Sequence, residues 1–146
     1  MKKFIKNYYY ILLPICITVF MMLVCGLYYS EVDDLFFNEI AVSSAKGREN
    51  LVCINVIYGY ILKGLSTLIP SINWMPIIYL TVINISMIVL YKIVKENGNQ
   101  IFAIGTLMTV QVYILFKITF TYIAFLCCYT AVVSGWHKIK VPSKNS

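Results

Sequence analysis

The sequence predicts an all-α fold: a polytopic membrane helix bundle with about four transmembrane helices and an outer amphipathic-helix region. Three observations point there. The chain of 146 residues is 60% hydrophobic and 12% charged, where soluble domains carry about 25% charged residues. Its mean hydropathy is +0.80, and a soluble fold of this size could not bury so much apolar surface. The apolar residues also fall in runs long enough to cross a hydrocarbon core of about 30 Å.

The chain opens Met1-Lys2-Lys3-Phe4-Ile5-Lys6 and runs into an apolar core, as a signal peptide does. That core, from Tyr8 to Tyr29, is long for a signal and no A-x-A site follows it. Residues 8–29 therefore read as a retained first span. Tyr8, Tyr9 and Tyr10 at one end and Tyr28 and Tyr29 at the other suit the aromatic belts of the two interfaces. Pro14 is expected to kink its first turns.

An outer region, 30–71, follows. Ser30 can cap a short helix whose positive N-terminal end favours Asp33. Asp34 and Asn38 share a face of it, and 43–50 reads as a loop. Residues 50–69 are apolar and nearly long enough to span. Yet Asn55, Gly59, Lys63 and Ser66/Thr67 form a polar stripe at helical spacing, so this helix either lies in the interface or lines a cavity. Pro70-Ser71 ends it.

Residues 72–94 form the second span, and Lys92, Lys95, Glu96, Asn97 and Gly98 a short turn. Residues 101–134 are too many for one ordinary span. A split near Lys117–Thr121 gives spans at 101–116 and 119–135. Trp136, His137, Lys138, Lys140 and Lys144 close the chain. Asn84-Ile85-Ser86 has the form of a glycosylation acceptor but falls inside a span. The whole chain, 1–146, reads as a single membrane domain.

The net charge of +6 follows this topology and is no sign of a nucleic-acid partner. With 50–69 outside, the cytoplasmic side holds Lys2, Lys3, Lys6, Lys92, Lys95, Lys138, Lys140 and Lys144, eight of the twelve basic residues. Lys46, Arg48, Lys63 and Lys117 stand outside. The positive-inside rule favours this arrangement, with both termini cytoplasmic in a multi-pass protein of the cell's inner (plasma) membrane. Cys16, Cys25, Cys53, Cys127 and Cys128 show no C-x-x-C and no Cys/His ligand spacing. They read as small buried hydrophobes.

The acidic residues are the candidate chemistry. Glu31, Asp33, Asp34, Glu39 and Glu49, five of the six, lie between 31 and 49. One histidine offers no Ser/His/Asp or Cys/His site, and no glycine-rich phosphate loop or H-E-x-x-H is present. An aspartate can take a proton from a sugar or lipid hydroxyl as that oxygen attacks. A carboxylate pair can also hold a divalent metal ion that neutralises a phosphate leaving group. Lys46, Arg48 and Lys63 could meet that phosphate by charge. Acids just outside a span also serve simply as solvated surface and helix caps.

The run Tyr28-Tyr29-Ser30-Glu31-Val32-Asp33-Asp34, the stretch Asn50 to Lys63, and Pro70-Ser71-Ile72-Asn73-Trp74 together resemble the N-terminal part of the multi-spanning bacterial GT-C-type glycosyltransferases and their relatives. The likeness covers roughly 8–134, and the acidic pair is its one chemically specific element. It implies transfer of a sugar from a polyprenyl-phosphate donor to a cell-envelope acceptor at the outer face of the lipid bilayer. The general base would map onto Asp33 or Asp34, with Arg48, Lys63 and Asn55 as substrate-binding candidates. Metal use varies across that superfamily, so the likeness requires no cofactor. Its members have many more spans. A truncated product, the first part of a split protein, and a small non-catalytic membrane protein that binds other membrane helices are the three expectations left open. A short chain of this kind is expected to be inactive alone.

Overall fold

The computed structural model describes residues 2–26, 56–98 and 101–140. Over these residues it is helical as expected: α1 (Lys2–Cys25), α2 (Val56–Leu68), α3 (Trp74–Glu96), α4 (Ile101–Phe116) and α5 (Phe120–Lys140). Three helices are long and apolar enough to cross a membrane: α1 over Tyr8–Cys25, α3 and α5. The fourth expected span, α4, has 16 residues. At 1.5 Å per residue it is about 24 Å long, short of the about 30 Å hydrocarbon core.

Sequence chemistry sets the helix ends. α1 stops at Gly26, where a φ of 69° suits glycine and the amide donates to the Met22 carbonyl at 3.2 Å. Asn73 precedes α3, and its Oδ1 accepts the Met75 amide at 3.3 Å. Pro76 sits in the same first turn, where a missing N–H costs nothing. Thr119 caps α5 by accepting the Tyr122 amide on Oγ1 at 3.2 Å. That cap falls inside the break expected at Lys117–Thr121.

Several expected boundaries move. α1 begins at Lys2, ahead of the apolar span inside it, which starts at Tyr8 as expected. Lys92, Lys95 and Glu96 belong to α3, so the turn shrinks to Asn97-Gly98, with Gly98 at φ 96°. Trp136, His137, Lys138 and Lys140 continue α5 where a tail was expected. The common cause is that a helix ends at its cap, not at the membrane boundary. Lysine is a good helix former whose stem can stay along apolar surface while its head reaches water. The cysteines also depart from expectation. Cys16, Cys25, Cys127 and Cys128 are exposed on the helix surfaces, the side a bilayer would cover.

The chain divides into two compact units, one formed by Met1–Tyr28 with Thr81–Ser146 and the other by Tyr29–Leu80. In the first, α1 runs antiparallel to α3. Thr18 meets Asn84, and Lys95 Nζ stands 4.7 Å from the centre of the Tyr10 ring. The C-terminal ends of α3 and α5 meet through Glu96 and His137, 2.8 Å apart. The Tyr113 and Tyr122 hydroxyls, 3.1 Å apart, link α4 to α5 near their turn. Ile83, Met87, Tyr91, Ile118 and Leu126 are among its buried side chains.

In the second unit, α2 and the first turns of α3 form a helical hairpin. The Tyr58 and Tyr79 rings stack at 6.3 Å, and the Trp74 indole N–H donates to the Ile69 carbonyl at 3.2 Å. Leu62, Met75 and Tyr79 are buried.

Candidate functional site

Of the residues expected to carry chemistry, Asp33, Asp34, Arg48 and Asn55 lie outside the described residues, as does the helix expected after Ser30. Lys63 is described. It lies on α2 half-buried, and its carbonyl accepts the Thr67 hydroxyl at 2.8 Å. The polar stripe on α2 proves to be its inner face. Gly59 is buried and Lys63 and Ser66 are half-buried, while Ile57, Tyr60, Ile61 and Leu68 are exposed. Thr67, at the edge of the stripe, is exposed. Apolar Leu62 is fully buried on the same inner side, so this face mixes polar and apolar side chains.

The first unit holds a polar seam inside its apolar interior. Gln111 is 0% exposed. Its amide nitrogen donates to the Pro14 carbonyl at 2.8 Å and to Thr18 Oγ1 at 3.2 Å. Thr18 then donates its hydroxyl to Asn84 Oδ1 at 3.1 Å. One amide thus joins α4 to α1, and α1 joins α3. The direction of the chain fixes the Gln111 amide: a carbonyl accepts only, so nitrogen must face Pro14. The other amide atom, Gln111 Oε1, is buried and has no hydrogen-bond partner among the described residues. The seam contains no titratable group. Its chemistry is to hold helices in register.

At one end of this unit the charges gather. Tyr10 lies under Lys95, and Glu96 meets His137. The N-terminal end of α1, the C-terminal ends of α3 and α5 and the start of α4 therefore share a side. These helix ends carry Lys2, Lys3, Lys6, Lys92, Lys95, Lys138 and Lys140, whereas Lys117 stands at the opposite end, between α4 and α5. Glu96 is the one acidic residue among the described residues. It also lies 3.9 Å from Lys92.

Comparison with protein-family models, with curated proteins and with solved structures returns no match.

Sequence reasoning passed over the seam. Asn84 was visible only as a misplaced glycosylation acceptor, Pro14 only as a kink, and Gln111 as one residue in an apolar run. The usable signal was the polarity of Asn84 and Gln111 at mid-span, where a side chain without a protein partner would face hydrocarbon.

Proposed function

We propose that this chain is a multi-pass inner-membrane protein of GT-C type that transfers a sugar from a polyprenyl-phosphate donor to an envelope acceptor, as the N-terminal portion of the catalytic apparatus. The observation that carries the reading is the segregation of charge in the helix bundle. The lysine-bearing ends of α1, α3 and α5 share one side, and α1 ends at Cys25 on the other, six residues before Glu31. By the positive-inside rule, the lysine side is cytoplasmic and the acidic stretch is delivered to the outer face. α4 crosses with the others, its shortfall in length taken up by local thinning of the bilayer.

In this reading Asp33 or Asp34 accepts the proton of the acceptor hydroxyl as its oxygen attacks the anomeric carbon. The bond from that carbon to the donor phosphate breaks, and polyprenyl phosphate leaves. Arg48 and Lys63 offset its charge.

The test uses a host whose envelope glycosylation depends on this protein. The Asp33→Asn, Asp34→Asn double variant, inserted at the wild-type level, should fail to restore glycosylation. Full restoration would remove the catalytic reading and leave a non-catalytic structural or assembly protein. Topology is read separately in a cysteine-free background. An impermeant thiol reagent added outside should label Ser44→Cys and spare Asn97→Cys, and the reverse pattern would invert the assignment.

A further inference from the structure

The lysine-rich end of the first unit carries an apolar groove of about 290 Å³. Leu90 and Val94 of α3, Ala103 and Thr106 of α4, and Tyr129 and Val133 of α5 line it. Its size is just under the about 300 Å³ at which small-molecule pockets begin, and it is open on one side. It suits a segment of chain better than an enclosed ligand. Of the two hydroxyls in the lining, on Thr106 and Tyr129, that of Thr106 already donates to the Phe102 carbonyl of its own helix at 3.0 Å. The groove thus asks for an apolar occupant.

One stripe of α5 extends the groove past its end. Tyr129, Val133, Trp136 and Lys140 follow one another at spacings of four, three and four, which keeps them on one helix face. Lys140 Nζ lies 5.2 Å from the centre of the Trp136 ring. An aromatic ring and a held cation therefore stand where the apolar lining gives out. A tryptophan belongs at headgroup level, and Lys140 beside it is placed for a phosphate. The adjacent Lys138 points to another side of α5. Glu96, the acid described at this end, is engaged by His137 and Lys92.

We infer that this groove seats an acyl chain of an anionic phospholipid, with Lys140 on the headgroup phosphate. The inference is independent of the sugar-transfer reading.

The experiment uses the full chain in vesicles of mixed phosphatidylglycerol and phosphatidylcholine. Bromine is placed on the acyl chains of one headgroup class at a time. The chain has two tryptophans, so Trp74→Phe leaves Trp136 as the fluorescent reporter. Brominated phosphatidylglycerol should quench Trp136 with an association constant about fivefold above that of brominated phosphatidylcholine, the effect of about one lysine at a membrane surface. Lys140→Gln should bring that ratio close to one, and Lys138→Gln should leave it unchanged. Ala103→Leu, which narrows the groove and keeps every charge, should also lower it. A ratio near one in the parent protein overturns the inference. So does an equal loss in the Lys138 and Lys140 variants, which would indicate diffuse surface charge. An unchanged ratio in Ala103→Leu would show that the chain does not sit in the groove.

Discussion

The middle of the first unit and its lysine-rich end are both joined by polar contacts, and the two regions use them differently. In the middle, Gln111, Thr18, Asn84 and the Pro14 carbonyl form a neutral relay with Gln111 fully buried. At the end, the Glu96 carboxylate approaches Lys92 and contacts the His137 ring, and the Glu96 side chain is 46% exposed there. The neutral bonds stand where water does not compete, so losing one partner strands the other. The ionic ones stand where water and salt compete, so each contributes little to stability. The seam sets which helices pack and in what register. The charged end sets which way the bundle faces.

The largest effect should come from removing the centre of the relay. Gln111→Ala loses both donated bonds and leaves a cavity, and should destabilise the unit by about 2 kcal/mol, measured by reversible unfolding in mixed micelles. Gln111→Leu fills most of the space and removes the unpartnered Oε1, so it should cost only about 1 kcal/mol. Equal costs for the two would mean that the lost hydrogen bonds, common to both, and not packing, hold α4 to α1; a cost near zero for Gln111→Leu would mean the reverse.

Next in size is Thr18→Val, which keeps the shape and deletes the hydroxyl that both accepts from Gln111 and donates to Asn84. A loss of about 1 kcal/mol is expected, and its double-mutant cycle with Gln111→Leu should show coupling of about 0.5 kcal/mol or more, insensitive to salt. Independent effects would break the idea of a relay.

A cycle between Glu96→Gln and His137→Asn should give a smaller coupling, below about 1 kcal/mol, because water reaches the Glu96 side of the contact. It should shrink further in molar salt, where the screening length falls to about 3 Å. A coupling that withstands salt would place this pair with the seam. Smallest of all is Lys92→Gln. Its 3.9 Å approach to Glu96 is a helical i, i+4 contact between exposed side chains, expected to contribute about 0.3 kcal/mol.

Much of the helix pattern was legible because apolar runs near 20 residues have few other uses. The break between α4 and α5 was legible too, since Lys117 interrupts the run and Thr119 can cap. The ends near lysine and tryptophan were misread, because those residues suit both a helix and an interface. Cysteine burial was misread for a related reason. In hydrocarbon an apolar side chain gains little by facing inward, so composition stops reporting which face is inside. The acidic pair was legible as a candidate by residue type and by its place after the first span. Its geometry lies outside the described residues, and only Lys63 among the expected site residues can be set against a structure.

By itself, then, the sequence determined that the chain is all-helical, where most of its helices fall, and that its charges are sorted by region. Those follow from local quantities: hydropathy over a window, a cap, a count of lysines. Only the tertiary structure decided that Gln111 meets Pro14 and Thr18 across more than ninety positions, that α2 turns its polar stripe inward, and that Glu96 finds His137. Each of these depends on the rotation and register of one helix against another. Hydrophobic periodicity cannot set that register when the surroundings are as apolar as the core, and a few polar contacts must set it instead.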